Sequence, residues 1–423
     1  MTTFMLSPDD QTLVFQLIDE IEGRLALHYK PGFGITPTAH PKSNYYDQIW
    51  ARDLAHAAGN YFAHVRPEAV EQSLALIFRY QRPNGMLPYR VEREYQKLKL
   101  VPGFRHLAKH AFVLVNKIKS RTERPVYEGQ DAGGGEDTIP VVLIAVGEFF
   151  RSSAEGKKFA EEHFVQLQKA VDFFRAKTDP ADDLAIITKN NADWADTIKR
   201  HGKLGGINIW WAECLRSMAD IAEELKQIEE AKQYRKEYET VNRNILKKLY
   251  APEGYFKAEE HDGRLDTVAS IFGALYLLDA KEAARVEETL ARRVLRPTGY
   301  ANFDPPYHRK QIYWSHRFLF PQGEYHNHYI WPWVTLQNIY VKIKIAQEHP
   351  NDAVREKYKT EAIADIIQIS KIFKTAGGAH EILHPDRPEP PRTRFYKIPQ
   401  HFMGTLAGYA GIYRKMKNLG WLK

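Results

Sequence analysis

Three segments of this chain gather carboxylates, amides or histidines beside tryptophan and tyrosine. They are Tyr46-Asp47-Gln48-Ile49-Trp50-Ala51-Arg52-Asp53, Asn190-Asn191-Ala192-Asp193-Trp194-Ala195-Asp196 and Gly323-Glu324-Tyr325-His326-Asn327-His328-Tyr329-Ile330-Trp331-Pro332-Trp333. A fourth cluster, His380-Glu381, follows the glycine pair Gly377-Gly378. Aromatic faces cover the apolar C–H surface of a sugar ring, and carboxylates, amides and arginine take its hydroxyls. In any single cluster the aromatics serve equally well as core plugs and their polar neighbours as helix caps. Four together point to a carbohydrate site, with Trp50, Arg52, Asp53, Trp194, Tyr325, His326, Asn327 and Trp331 as its substrate-binding residues.

Cleaving a glycosidic bond takes two carboxyl groups in different protonation states, one to protonate the leaving oxygen and one to attack or to activate water. Asp196 of the second cluster and Glu381 of the fourth are the expected catalytic pair. Asp193 is the alternative acid: three residues before Asp196, it would share a helical face with it, and two close carboxylates raise the pKa of one. Either aspartate could instead cap the helix that follows.

Other chemistries fit less well. His380-Glu381-Ile382-Leu383-His384 has the spacing of a zinc-protease HExxH motif, which needs both histidines on one helical face. The preceding glycines and Pro385 argue against a helix there, so no metal is expected. His326 and His328 alternate as on a strand, but no third ligand is evident, and no glycine-rich phosphate or dinucleotide loop is present, so no cofactor is expected. The single cysteine, Cys214, excludes an internal disulfide.

The elements that must position these clusters are helices. Ser7, Pro8, Asp9 and Asp10 read as an N-cap, a first-position proline and first-turn acids, opening a helix with apolar residues Leu13, Leu17, Ile18, Ile21 and Leu25. Phe164, Leu167, Val171 and Phe174, and later Ile363, Ile366, Ile369 and Phe373, recur at helical spacing. Strand-like alternation is scarce, no internal repeat is visible, and no linker divides the 423 residues. About a dozen helices at roughly 35 residues per helix and loop use the whole length, the arithmetic of a single all-α (α/α)6 toroid of six hairpins, although a helical solenoid spends residues the same way.

Composition agrees with a globular protein: 43% hydrophobic, 12% aromatic and 27% charged residues. The longest apolar run, Ile139 to Val146, is far too short to span a bilayer, and acidic Asp9 and Asp10 precede any apolar leader, so a cytoplasmic location is expected. The net charge of +7 lies in one place, since Tyr89 to Arg124 holds ten Lys or Arg against three Glu. This segment, about 89–125, reads as a basic insertion in a domain spanning 1–423. No zinc-finger or RNA-binding pattern accompanies it, so no nucleic-acid partner is expected.

Several motifs resemble a known group. Tyr46 to Asp53 is similar to the YDQxxxRD signature of alkaline/neutral invertases. Asn327 to Pro332 resembles their N-G-G-S-W-P segment, with His328, Tyr329 and Ile330 replacing its middle, and Asp137-Thr138-Ile139-Pro140 falls at a loop before a helix. Trp194-Ala195-Asp196 followed by Asn208-Ile209-Trp210-Trp211 resembles the acid-bearing segment of amylo-α-1,6-glucosidases. Glu381 with the later Gln400 to Tyr409 stretch resembles the base-bearing element of the invertases. Both families are inverting (α/α)6 glycosidases. The resemblance therefore implies Asp196 as general acid, Glu381 as general base, and a water between them, with carboxyls about 6.5–9.5 Å apart.

The expected function is an inverting glycoside hydrolase acting on an α-glucoside or sucrose-like oligosaccharide. A sugar 2-epimerase on the same toroid, using His326, His328 and His380, and a non-catalytic carbohydrate-binding protein are the alternatives.

Overall fold

A computed structural model describes residues 7–39, 48–93, 123–127, 135–188, 193–320, 325–394 and 396–422. Twelve helical stretches organise it. They are α1 (Pro8–Ala26), α2 (Ala51–Ala57, continued by a π-helical turn Ala58–Phe62 and by Ala63–Val65), α3 (Pro67–Arg79), α4 (Thr138–Ser152), α5 (Ala154–Arg175) and α6 (Gly205–Glu224). Then come α7 (Ile228–Lys248), α8 (Thr267–Tyr276), α9 (Ala280–Arg293), α10 (Pro332–Glu348), α11 (Asp352–Ala376) and α12 (Met403–Asn418).

Local sequence explains their boundaries. The Ser7 hydroxyl accepts the Asp10 N–H at 3.1 Å, opening α1 as its sequence predicts, and Val14, Ile18, Ile21 and Leu25 form the buried stripe. Asp279 caps α9 in the same way, and Asn351 caps α11, which ends at Gly377 in the left-handed region at φ 77°. Phe164, Leu167, Val171 and Phe174 all point inward from α5, and Ile363, Ile366, Ile369 and Phe373 from α11.

The even-numbered helices pack side by side, α2 on α4, α4 on α6, and so on until α12 returns to α2. They close an inner ring. The odd-numbered helices lie outside it, α5 on α4, α7 on α6, α9 on α8, α11 on α10 and α1 across α12. Closure requires close approaches: a Cβ on Gly411 of α12 would meet the Asn60 carbonyl in the π-helical turn of α2 at 2.2 Å. The apolar run at Ile139–Val146 is the N-terminal half of inner helix α4, buried nearly all round as an inner helix must be.

Connections place the site. Each inner helix from α2 to α10 reaches the next outer helix through a short turn, which makes these pairs antiparallel. Every return from an outer to an inner helix is long, and these returns all lie at the N-terminal ends of the inner ring. Among the described residues, inner helices other than α8 have no side-chain cap, so their positive ends face that rim.

The rim carries the strands. Gln48–Trp50 (β1), Arg90–Arg93 (β2) and Glu123–Val126 (β3) form an antiparallel sheet in the order β1-β2-β3. The basic segment thus runs between two paired strands; residues 94–122 of it are outside the described residues. No helix among the described residues is long and apolar enough to cross a membrane.

Candidate active site

Each predicted cluster falls on one of these long returns. Trp50 stands at the junction of β1 with α2, and Arg52 and Asp53 follow in the first turn. Arg52 donates from Nε and Nη2 to Oδ2 and Oδ1 of Asp137 at 2.7 and 3.0 Å, while its Nη1 lies 3.8 Å from Oδ2 of Asp196. Asp137 is the residue before α4. One guanidinium therefore joins the starts of α2 and α4 to the return that enters α6. On the other side, the Trp50 indole donates to Gln48 at 2.8 Å and Arg90 stacks 4.8 Å from its ring.

Residues 193–197 form turns rather than the helix that would put both aspartates on one face. The two acids consequently have separate environments. Asp193 is buried, its Oδ1 accepting the Ala195 N–H at 3.1 Å and its Oδ2 bound by the buried Arg200. Arg200 donates also to Asp266, the cap of α8, at 2.9 Å. Asp193 is thus a member of a buried carboxylate–guanidinium–carboxylate strut. Asp196 instead keeps 40% of its side-chain surface accessible. Protein packed around it raises its pKa to about 7; Arg52 opposes the rise, and Asp137, Asp193 and Asp53 add to it.

The third cluster builds a wall. Its aromatics are buried: Tyr325, His326 and Trp331 are under 9% accessible, as is Trp194. The His326 ring stacks on Trp331 at 4.8 Å and 4°, with Trp194 and Tyr325 set edgewise at 5.3 and 4.7 Å. His326 Nδ1 is 3.0 Å from the Thr197 hydroxyl and 3.7 Å from Oδ1 of Asp196. Burial holds its pKa well below the usual histidine value, so this imidazole is neutral. Asn327 departs from its expected role. Its amide accepts the Tyr307 N–H at 2.7 Å and donates to the Tyr307 carbonyl at 2.9 Å, clamping two loops together.

Glu381 is buried in the return before α12, in non-helical backbone, so the HExxH geometry is absent. Among the described residues no group of three or more metal-ligating side chains converges. The Tyr396 hydroxyl donates to Oε2 of Glu381 at 2.6 Å. Asp53 links the two predicted carboxyls electrostatically. Burial raises it to about 7 against the pull of Arg52, and the negative charge of Glu381 adds to the rise, while Asp53 in turn raises Asp196. His380 faces elsewhere, its Nε2 donating to the Ala376 carbonyl at 3.0 Å.

Two partners escaped the sequence reading. Asp137 was noted only as a loop residue, and its tie to Arg52 joins positions far apart in the chain; Tyr396 carries no local signature at all. Of the predicted clusters, Tyr46, Asp47, Asn190, Asn191, Ala192, Gly323 and Glu324 lie outside the described residues.

Comparison with known proteins agrees with the fold. Residues 139–299 match the family model of the bacterial α-L-rhamnosidase 6 hairpin glycosidase domain. A Klebsiella oxytoca rhamnosidase with rhamnose bound superposes with TM-score 0.62 at 14% identity, covering 99% of this chain and 66% of that one. This chain thus spans a little under two thirds of the rhamnosidase. A glycosidase variant in complex with glucose gives TM-score 0.66 at 13% identity, covering 99% and 100%. A GH63 mannosylglycerate hydrolase from Thermus thermophilus in complex with glucose gives 0.61 at 16%, covering 94% and 100%. A search of curated proteins finds no match. The fold is the (α/α)6 toroid of these structures, and residues 139–299 are similar to a six-hairpin glycosidase domain.

Proposed function

We propose that the protein hydrolyses a glycosidic bond with inversion, Asp196 protonating the leaving oxygen and Glu381 taking a proton from the attacking water. One observation supports this reading: Asp196 lies 3.7 Å from His326, whose ring packs edgewise on Tyr325, and the Tyr325 hydroxyl is 3.4 Å from that of Tyr396, which donates to Glu381, so a short run of contacts joins two acids from distant parts of the chain. Their surroundings suit opposite roles. An accessible carboxyl with a pKa near 7 holds its proton at neutral pH, as an acid must. A buried carboxylate receiving a hydroxyl hydrogen bond is oriented to act as a base. Arg52, Asp53 and Trp50 would hold the glycone, with the His326–Trp331 stack behind it.

For substrate we propose an α-linked hexoside, first an α-glucoside or sucrose-like oligosaccharide, as the invertase and amylo-glucosidase resemblances imply. The glucose bound in two of the compared structures supports a hexose-sized site. The epimerase alternative has less support, since it needs a histidine pair at one site, whereas His326 packs beside Asp196 and His380 points its Nε2 at a helix carbonyl.

The test is NMR of nascent product anomers with a panel of α-glucosides, sucrose, α-rhamnosides and α-mannosides. A β-configured product from an α-glycoside is expected, with Asp196→Asn and Glu381→Gln each losing about 10²–10⁴ in kcat. Retention of configuration, or wild-type turnover in either variant, overturns the assignment.

A further inference from the structure

We infer that Tyr396 is a positioning residue for Glu381, setting both the orientation of that carboxylate and the pH range in which it works as a base. This rests on the proposed role of Glu381. Contacts at both the hydroxyl and the ring fix the tyrosine. Its hydroxyl is 2.6 Å from Oε2 of Glu381 and 3.4 Å from the Tyr325 hydroxyl, and its ring packs 5.5 Å from Phe320. Its backbone is held as well: the Thr393 hydroxyl donates to the Tyr396 carbonyl, and the Arg394 N–H donates to the Leu319 carbonyl at 2.9 Å. The phenol therefore stands between the wall that touches Asp196 through His326 and the carboxylate of Glu381.

The chemistry follows from the donor. A phenolic O–H at 2.6 Å from a carboxylate oxygen is a charge-assisted hydrogen bond of the short, strong class. It favours the ionised carboxylate over the protonated one, opposing the effect of burial. It also stops rotation about the terminal carboxyl torsion, which is otherwise broad. Glu381 is under 2% accessible, so few solvent molecules can replace the donor if it is removed.

Tyr396→Phe tests this, because it removes one oxygen and keeps the ring against Phe320. Two readouts are expected to move together. In kinetics, kcat falls about 10- to 100-fold with KM within threefold, and the acidic limb of kcat/KM shifts up by about one pH unit. In NMR of protein carrying ¹³C-carboxyl glutamate, the Glu381 signal, assigned by its loss in Glu381→Gln, titrates at higher pH in Tyr396→Phe. An unmoved acidic limb together with an unmoved Glu381 titration overturns the inference. Failure of the underlying reading looks different: Glu381→Gln then keeps wild-type turnover, while the NMR midpoint still reports whether the phenol controls this carboxyl. In the Glu381→Gln background, adding Tyr396→Phe should cost no further activity; an additive loss would assign Tyr396 a role independent of Glu381.

Discussion

Arg52 grips Asp137 through two hydrogen bonds of 2.7 and 3.0 Å and leaves its remaining nitrogen 3.8 Å from Asp196. A bidentate fork fixes a guanidinium in direction as well as position. The third nitrogen is therefore aimed at Asp196 by Asp137, and both helices α2 and α4 contribute to where that charge sits. Breaking a buried pair by removing one partner costs about 3–5 kcal/mol. Since Arg52 is 20% accessible, Asp137→Asn is expected at the lower end, about 3 kcal/mol, read as a reduced urea midpoint together with lower kcat. Unchanged stability would show that the fork has no structural weight.

The same guanidinium sets a pH profile. With Asp196 near 7 and acting in its protonated form, kcat/KM should decline as pH rises above about 7. Burial raises this pKa most, and Arg52 is the group that pulls it down. Arg52→Gln is therefore expected to shift the alkaline limb upward, and Arg52→Lys, which keeps the charge, to shift it less. A downward shift in Arg52→Gln would contradict the electrostatic account.

Stability should carry the opposite signature. Asp53 and Asp196 both have folded-state pKa values raised to about 7, so the folded protein holds their protons more tightly than the unfolded chain does. Their contribution is favourable at pH 4 and is lost as pH rises towards 7. Asp53→Asn and Asp196→Asn should thus have a higher Tm than wild type at pH 8, with the gain shrinking toward pH 4. Equal effects at both pH values would mean that neither group is strained by its charge.

What the amino-acid sequence made legible is local. The Ser7 cap, the stripes of α1, α5 and α11, and the segments that become rim returns are all written within a few residues of one another. Helix number and chain length fit a closed ring of six hairpins and a helical solenoid alike, and it was the resemblance to (α/α)6 families that selected the ring. The π-helical turn in α2 and the tight Gly411 crossing have no such local signal. Within the site, residue types were legible and their partners were not. Asn327 and Trp331 have the composition of a sugar contact, yet Asn327 spends its amide on Tyr307, and the Trp331 indole donates to the Tyr325 carbonyl at 3.3 Å. Such pairings depend on how returns from different hairpins meet.

The loop clamp is itself testable. Asn327→Ala removes two hydrogen bonds and leaves the Tyr307 backbone groups unpaired in a buried place. A cost of about 2–4 kcal/mol is expected from unsatisfied buried groups at about 1–3 kcal/mol each. A substrate-contacting residue would behave otherwise, raising KM with little change in Tm, so calorimetry and KM together separate the two roles.

Asp193 and Asp196 can be told apart by which property each variant loses. Asp193 is bound to the buried Arg200, which also binds Asp266, and its carboxylate accepts a backbone N–H of its own turn. Asp193→Asn weakens the strut that sets the 193–197 turn and places a neutral amide beside a buried guanidinium, at an expected cost of about 3 kcal/mol. At a temperature where that variant remains folded, the residual turnover should retain an alkaline limb, moved to lower pH because the charge of Asp193 no longer raises Asp196, since the accessible acid is intact. Asp196→Asn should do the reverse, keeping or raising Tm at neutral pH while losing turnover and the alkaline limb with it. The opposite pairing of outcomes, a stable and inactive Asp193→Asn beside an active Asp196→Asn, would transfer the acid's role to Asp193 and make Arg200, rather than Arg52, the cation that tunes it.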